Sequence, residues 1–271
     1  MPKINKISSF DVGSIGDGEF QSSTNNDAHV IDPVRAVSAY ASHKNPARIS
    51  PLVASVFPAG VTAAELRLPG DPALLFPAET LNLTSAVPRR IQEFSAGRLC
   101  ARRALTQLGF ADHPLLMGGD RRPQWPSSVV GSITHTAGIC AVAVAARSQF
   151  QAIGLDMEIV GHVSPEMWSH VCTSEETAWL KMLPEPEQTR YATLIFSAKE
   201  AFYKCQYELT QQWLEFDDII LELPAPSLKG GDFLLLPRRR IDFLKHKAVP
   251  WRGQFRFHEN FVVTGIALTA C

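Results

Sequence analysis

Two stretches carry side chains that could do chemistry together. Gly154-Leu155-Asp156-Met157-Glu158 leaves an apolar run and reads as a short strand. Side chains alternate along a strand, so Asp156 and Glu158 share one face. Two carboxylates that close repel each other unless a cation lies between them. Magnesium suits an all-oxygen site made of a few carboxylates, waters and substrate phosphate. The second stretch, Phe196 to Lys204, reads as helix and offers a third carboxylate, Glu200, between the cations Lys199 and Lys204. Carboxylates for a metal beside lysines for anions suit phosphoryl chemistry. A buried structural acid and a solvated Glu–Lys pair would account for the same residues.

The elements that must position these side chains have their own signals. Val87 to Gly109 reads as a long helix, with Pro88 at its start and Gly109 at its end. Its apolar stripe runs through Ile91, Phe94, Ala101, Leu105 and Leu108, and predicts an apolar residue where Arg98 stands. A guanidinium on a core-facing seam must be paired or face an anion. Arg90 lies near the edge of the same face, roughly 12 Å away at a helical rise of about 1.5 Å per residue. The pair could grip separated phosphates, or be spent on Glu93 or another acid. Leu115 to Pro126 is loop, with Arg121 and Arg122 beside Pro123 and Trp125. Val129 to His135 and Ile139 to Ala146 read as a hairpin that ends its first strand in a histidine. His135 could be structural or a donor to phosphate. Thr173 to Glu176 is a capping box opening a helix to Leu183. Thr189 to Leu209 is the second long helix, with Glu200 and Lys204 opposite its apolar face and Lys199 at the flank. Four apolar segments then read as a β meander: Phe216–Leu223, Phe233–Pro237, Gln254–His258 and Phe261–Ala267. Nearer the N-terminus, Leu52 to Ala63 has strand-like content, and residues 1 to about 45 read as a polar, mobile extension.

Composition narrows the classes. A formal net charge of −1 over 271 residues argues against a general nucleic-acid binder. Five scattered cysteines without a CxxC pair fit neither a disulfide framework nor a zinc site. No apolar run is long enough to span a membrane, and the N-terminus lacks a signal-peptide core, so a cytoplasmic location is expected.

Four blocks in order resemble the 4′-phosphopantetheinyl transferases, of the group typified by enterobactin synthetase component D. They are Arg89, Arg90, Glu93, Phe94, Gly97 and Arg98 with Ala101 and Arg102; Arg122-Pro123 and Trp125-Pro126 followed by Gly131 to His135; Gly154 to Glu158; and Phe196 to Lys204. The resemblance implies that Asp156, Glu158 and Glu200 hold magnesium, or manganese in its place. Glu200 doubles as a general base, with Asp156 and Lys204 completing the catalytic set. Arg90, Arg98, Arg122, Thr134, His135, Thr136, Lys199 and Lys204 contact coenzyme A. Here Arg121 adds a second cation before Pro123, Met157 offers no oxygen between the acids, and the first 45 residues have no counterpart.

The implied fold is α+β, with two similar subdomains, residues 46–153 and 154–271, each a long helix on a small, mainly antiparallel sheet. The active site lies in the cleft between them, which makes a monomer sufficient. The implied reaction transfers the 4′-phosphopantetheine arm of coenzyme A to a serine of an apo acyl, aryl or peptidyl carrier protein. The competing readings are a non-catalytic coenzyme A-binding protein that recruits carrier domains, and a magnesium-dependent hydrolase of coenzyme A or a nucleotide pyrophosphate.

Overall fold

The computed structural model describes residues 46–81, 83, 86–136, 138–223, 226–227, 229–238 and 251–270. It opens with a two-residue strand, β1 (Arg48–Ile49), followed at once by a helical turn, α1 (Pro51–Ala54). The run from Leu52 to Ala63 is therefore not strand throughout. Ser50 Oγ accepts the Val53 N–H at 3.2 Å, and Pro51 takes the first helical position, where no amide is needed. A turn through Gly60, at φ +100°, leads into β2 (Val61–Arg67). The expected extension, residues 1–45, lies outside the described residues.

After a second helical turn, α2 (Pro77–Thr80), comes the long helix α3 (Pro88–Gln107). The hairpin follows as β3 (Val129–Thr136) and β4 (Ile139–Ala146), then the acidic strand β5 (Phe150–Ile159). Three helices come next: α4 (Trp168–Val171), α5 (Ser174–Leu180) and α6 (Glu185–Thr210). The last begins four residues earlier than the sequence suggests. Pro186 sits in its first turn, where amides have no partner inside the helix, so the proline does not interrupt it. The meander closes the chain as β6 (Ile219–Glu222), β7 (Gly230–Pro237), β8 (Trp251–His258) and β9 (Phe261–Thr269). Among the described residues no helix is long and apolar enough to cross a membrane.

The strands form two antiparallel sheets, in the orders β1-β2-β4-β3 and β5-β9-β8-β7-β6. This is an α+β architecture with one long helix on each sheet. β4 shows how it packs. Cys140, Val142 and Val144 face α3, in a core with Ala64, Leu66, Cys100 and Leu105. Ala141, Ala143 and Ala145 face the other way, in a core with Ile153, Leu155 and Met157 of β5. A strand buried on both faces must be apolar throughout, as this one is. The other face of the second sheet packs on α6 through Leu194, Ala198, Phe202, Phe233 and Phe255.

The two sheets meet where the edge strands β3 and β5 lie side by side. Ser132 Oγ accepts the Leu155 N–H across this seam at 3.0 Å. Gly154 lets α6 approach β5 closely, since a Cβ there would lie 1.9 Å from the Ala201 carbonyl oxygen. The glycine two residues before Asp156 thus sets how near the helix can bring its own side chains to the acidic strand.

Candidate active site

Alternation along β5 puts Asp156 and Glu158 on the face turned to α6, and Met157 into the core between the sheets. From β3, Thr134 Oγ1 donates to Asp156 Oδ1 at 3.0 Å. From α6, Lys204 Nζ donates to the same oxygen at 2.7 Å and to the Leu155 carbonyl at 3.2 Å. Glu158 Oε2 meets His162 Nδ1 at 2.7 Å. Glu200 is buried on α6 one turn before Lys204. Every residue of α6 from Tyr191 to Phe202 is buried, so Glu200 belongs to the cleft, not to bulk water.

Lys204 is bonded to Asp156 and lies in the field of all three acids, while Glu158 has His162 as its direct partner. Burial works against the charge of Lys204, but Asp156, Glu200 and Glu158 outweigh it and hold its pKa above the ordinary lysine value. Burial also pushes the Glu158 carboxyl up; the His162 hydrogen bond opposes this and the Asp156 charge adds to it. His162 is raised in turn, chiefly by its bond to Glu158.

Among the described residues no three His, Cys, Asp or Glu side chains are gathered as a ready metal cage. Lys204 occupies the position against Asp156 instead. The donor chemistry still fits a hard divalent cation. Asp156 Oδ2 is buried with no hydrogen-bond partner, an expensive state for a carboxylate oxygen unless a ligand completes it. Glu158 faces the same side, and substrate oxygens and water would supply the rest. A cavity of about 320 Å³ lies elsewhere, on the Met157 face of β5, lined also by Ile139, Phe261 and Arg67.

Lys199, expected to face phosphate, does not join this group. Its Nζ donates to Glu176 Oε2 at 2.6 Å and to the carbonyls of Val171 and Phe216 at 3.0 Å each. The ammonium thus meets three acceptors for its three N–H bonds, and the side chain is 2% exposed. Glu176 also accepts the N–H groups of Thr173 and Leu221 at 2.7 Å each. The pair is a buried hub joining α5, α6 and the start of the meander.

The arginines and His135 stand around α3. Arg98 is 6% exposed, with its guanidinium stacked 3.9 Å from the Phe94 ring centroid and Nε donating to the Leu115 carbonyl at 2.9 Å. Burial lowers its pKa to about 10, partly offset by Glu79, so it remains charged at neutral pH. No carboxylate bonds to it among the described residues. Glu93 faces Arg89 Nε at 2.9 Å, Arg90 Nη1 at 4.0 Å and the His135 ring at Nε2, 3.9 Å away. Burial lowers the His135 pKa, with Glu93 opposing and Lys204 and Arg90 adding to the effect. Thr136 ends β3 beside it, half-buried. Arg122 is tied to Asp120 and, at 3.5 Å, to Glu208 of α6, with its guanidinium 5.3 Å from the Tyr207 ring centroid. Arg121 sits at φ +66° and is exposed.

The sequence matches bear on these same elements. The N-terminal domain model of the 4′-phosphopantetheinyl transferases matches residues 77–145, and the 4′-phosphopantetheinyl transferase superfamily model matches residues 152–254. The 4′-phosphopantetheinyl transferase Svp of Streptomyces mobaraensis is 36% identical over 209 residues, covering 74% of this chain and 82% of that protein. Npt of Nocardia iowensis, another 4′-phosphopantetheinyl transferase, is 33% identical over 225 residues, covering 80% of this chain and 99% of its own. The chain belongs to the 4′-phosphopantetheinyl transferase superfamily. Enterobactin synthase component D of Salmonella typhimurium is 40% identical over a shorter span of 126 residues, half of its length. The first family model contains Arg90, Arg98, Arg122, Thr134, His135 and Thr136 of this transferase; the second contains Asp156, Glu158, Lys199, Glu200 and Lys204.

Sequence reading missed three polar groups that hold the site. Glu176 is visible only as the second half of a capping box, which already accounts for it. His162 lies four residues beyond Glu158, past the end of β5, where strand periodicity gives no signal. Glu208 continues the spacing of Glu200 and Lys204 by one more turn and could have been found that way.

Proposed function

We propose that this transferase moves the 4′-phosphopantetheine arm of coenzyme A onto a serine hydroxyl of an apo carrier protein, with Asp156, Glu158 and Glu200 holding magnesium. The observation that carries this reading is the buried Asp156 Oδ2 without a partner, at a seam where three acids face one lysine. The ion would supply neutralisation of the pyrophosphate charge. The protein's own residues do the rest. Arg98 and Arg90 on α3 present cations to the nucleotide end and its 3′-phosphate, and His135 on β3 joins them by taking up a proton in the complex. Lys204, which donates to Asp156 and to the Leu155 carbonyl, turns its remaining N–H to phosphate oxygens. Glu200 takes the serine proton, directly or through one water. The serine oxygen forms a bond to the phosphorus carrying the pantetheine arm, the bond from that phosphorus to the bridging oxygen breaks, and adenosine 3′,5′-bisphosphate leaves. One chain supplies both sheets of the seam, so a cytoplasmic monomer suffices.

Intact-protein mass spectrometry tests this. The enzyme is mixed with coenzyme A, magnesium and apo acyl or peptidyl carrier protein. The expected result is a gain of one phosphopantetheine per carrier, lost with chelator and lowered by orders of magnitude in Glu200→Gln. Coenzyme A consumed without any gain on the carrier would establish the hydrolase instead. Coenzyme A bound, with neither gain nor consumption on any carrier tried, would point to the binding protein.

A further inference from the structure

Glu200, Lys204 and Glu208 stand on successive turns of α6. The first two belong to the acidic cluster. The third sits one turn further along the same face, with each carboxylate oxygen on a different arginine. Oε1 accepts from Arg147 Nη2 at 3.0 Å, and Oε2 from Arg122 Nη1 at 3.5 Å. Arg147 follows β4 and is itself anchored, donating to the carbonyls of Ser127 at 3.1 Å and Val129 at 3.3 Å. Arg122 belongs to the loop before Trp125. That loop is closed on itself by the Gly118 N–H donating to the Arg122 carbonyl at 2.8 Å and by a bridge from Met117 to Pro123. It is docked by Trp125 against Gly131, where a Cβ would come within 2.5 Å of the indole.

The chemistry of Arg122 is half spent. Its Nε–H goes to Asp120 and one Nη1–H to Glu208, while Tyr207 flanks the guanidinium plane. Nη2 makes no hydrogen bond among the described residues and Nη1 keeps its second N–H, so three of five N–H donors, with their direction set by two carboxylates, are left for an anion. A carboxylate beside a cation that must receive a phosphate-rich substrate lowers affinity through its charge. It adds little to stability here, since the side chains of Arg122, Arg147 and Glu208 are 31–41% exposed and exposed pairs contribute about 0–1 kcal/mol.

We propose that Glu208 is a positioning residue for coenzyme A: it latches Arg122 and its loop to the helix that carries Glu200 and Lys204, using Arg147 as the fixed end. This rests on the reading that Arg122 meets coenzyme A. The latch fixes the separation between the loop cation and the acidic cluster, so both ends of the substrate meet pre-set partners.

Steady-state kinetics with carrier protein in excess tests it, using Glu208→Gln, Arg147→Ala, their double variant and Arg122→Ala. Glu208→Gln should raise KM for coenzyme A about tenfold, the scale of one misplaced charge-assisted hydrogen bond. Its kcat should stay within about twofold and its melting temperature within about 2 °C, as loss of an exposed pair allows. Arg147→Ala should raise KM in the same direction, and the double variant should be no worse than Glu208→Gln alone, because both act through one contact. If Arg122→Ala raises KM while Glu208→Gln leaves it unchanged or lowers it, the latch is wrong and Glu208 is only a repelling charge. If Glu208→Gln lowers kcat and the melting temperature together, its role is structural and the proposal fails. If Arg122→Ala leaves KM unchanged, the reading on which the proposal rests has failed first.

Discussion

Replacing Lys199 by methionine separates two roles that helical position alone leaves open. In the structure its ammonium is sealed in with Glu176, both side chains being 3% exposed or less. Methionine fills a similar volume and leaves Glu176 with two backbone N–H donors and no counter-charge. Breaking a buried pair from one side costs about 3–5 kcal/mol, because the remaining charge stays buried. At about 2–4 °C per kcal/mol for a chain approaching this size, the melting temperature should fall by roughly 6–20 °C. Glu176→Gln should fall in the same range, and the pair Glu176→Gln with Lys199→Met should be more stable than the sum of the two losses predicts. Calorimetric or circular-dichroism melts give the stabilities. Transfer measured well below each melting temperature gives the chemistry, and should fall far less than in Glu200→Gln. A Lys199→Met protein that melts within about 1 °C of the parent, an upper limit well under the cost of an orphaned buried charge, yet has lost transfer a hundredfold or more, would refute the reasoning and return Lys199 to the phosphates.

Gly154→Ala should destabilise by about 3 kcal/mol, the upper end of ordinary overpacking, because its Cβ would meet the Ala201 carbonyl at 1.9 Å. Displacing α6 should also lower transfer, read by melts and initial rates together. Arg98→Met should leave the melting temperature unchanged or raised, since a buried charge bonded only to a carbonyl is replaced by an apolar side chain; KM for coenzyme A should rise about tenfold or more, as for loss of a charge-assisted contact. For His135 the sign follows from its pKa, which burial holds below the ordinary histidine value. Folded-state stability should therefore decline as the pH drops from about 6.5, where the unfolded chain begins to take the proton, towards the depressed value. Coenzyme A binding should weaken as the pH rises through the His135 pKa of the complex, with proton uptake that calorimetry in buffers of different ionisation heat detects and His135→Ala removes.

Much of this was legible where one side chain breaks a pattern its neighbours keep. Arg98 stands in an apolar stripe, and the structure buries it there, stacked on Phe94. The D-x-E spacing of Asp156 and Glu158 fixes their common face because strand alternation leaves no choice. β4 is apolar throughout because both of its faces are core. Lys199 and Lys204 were less tractable. Periodicity sorts an apolar face from a polar one, but α6 is enclosed on all sides between Tyr191 and Phe202, which buries Lys199, and Lys204 just beyond is only 19% exposed. Which one meets the acids depends on Glu176, a residue from another helix that sequence distance does not connect to Lys199. The opening turn at Pro51 was missed for a simpler reason: a serine cap and a proline convert an apolar run to helix over only four residues, too short for a period to show.

The position of the site follows from an unfinished sheet. β3 and β5 are edge strands, and edge strands carry peptide groups that must find partners if they are buried. β5 pairs with β9 on one side only. On the other, the Leu155 peptide is completed by side chains: Ser132 Oγ takes its N–H and Lys204 Nζ its carbonyl. Had β3 and β5 joined as a regular ladder, both groups would have been satisfied by backbone, and nothing polar would have been needed between the sheets. Leaving the ladder open brings a serine, a threonine and a lysine into a region otherwise lined by alanine, valine and leucine. Asp156 is ionisable and buried next to them, held by Thr134 and Lys204, with one oxygen left over. The same gap that the fold must fill to bury its edges is what places a carboxylate, an ammonium and an unsatisfied oxygen within reach of a substrate.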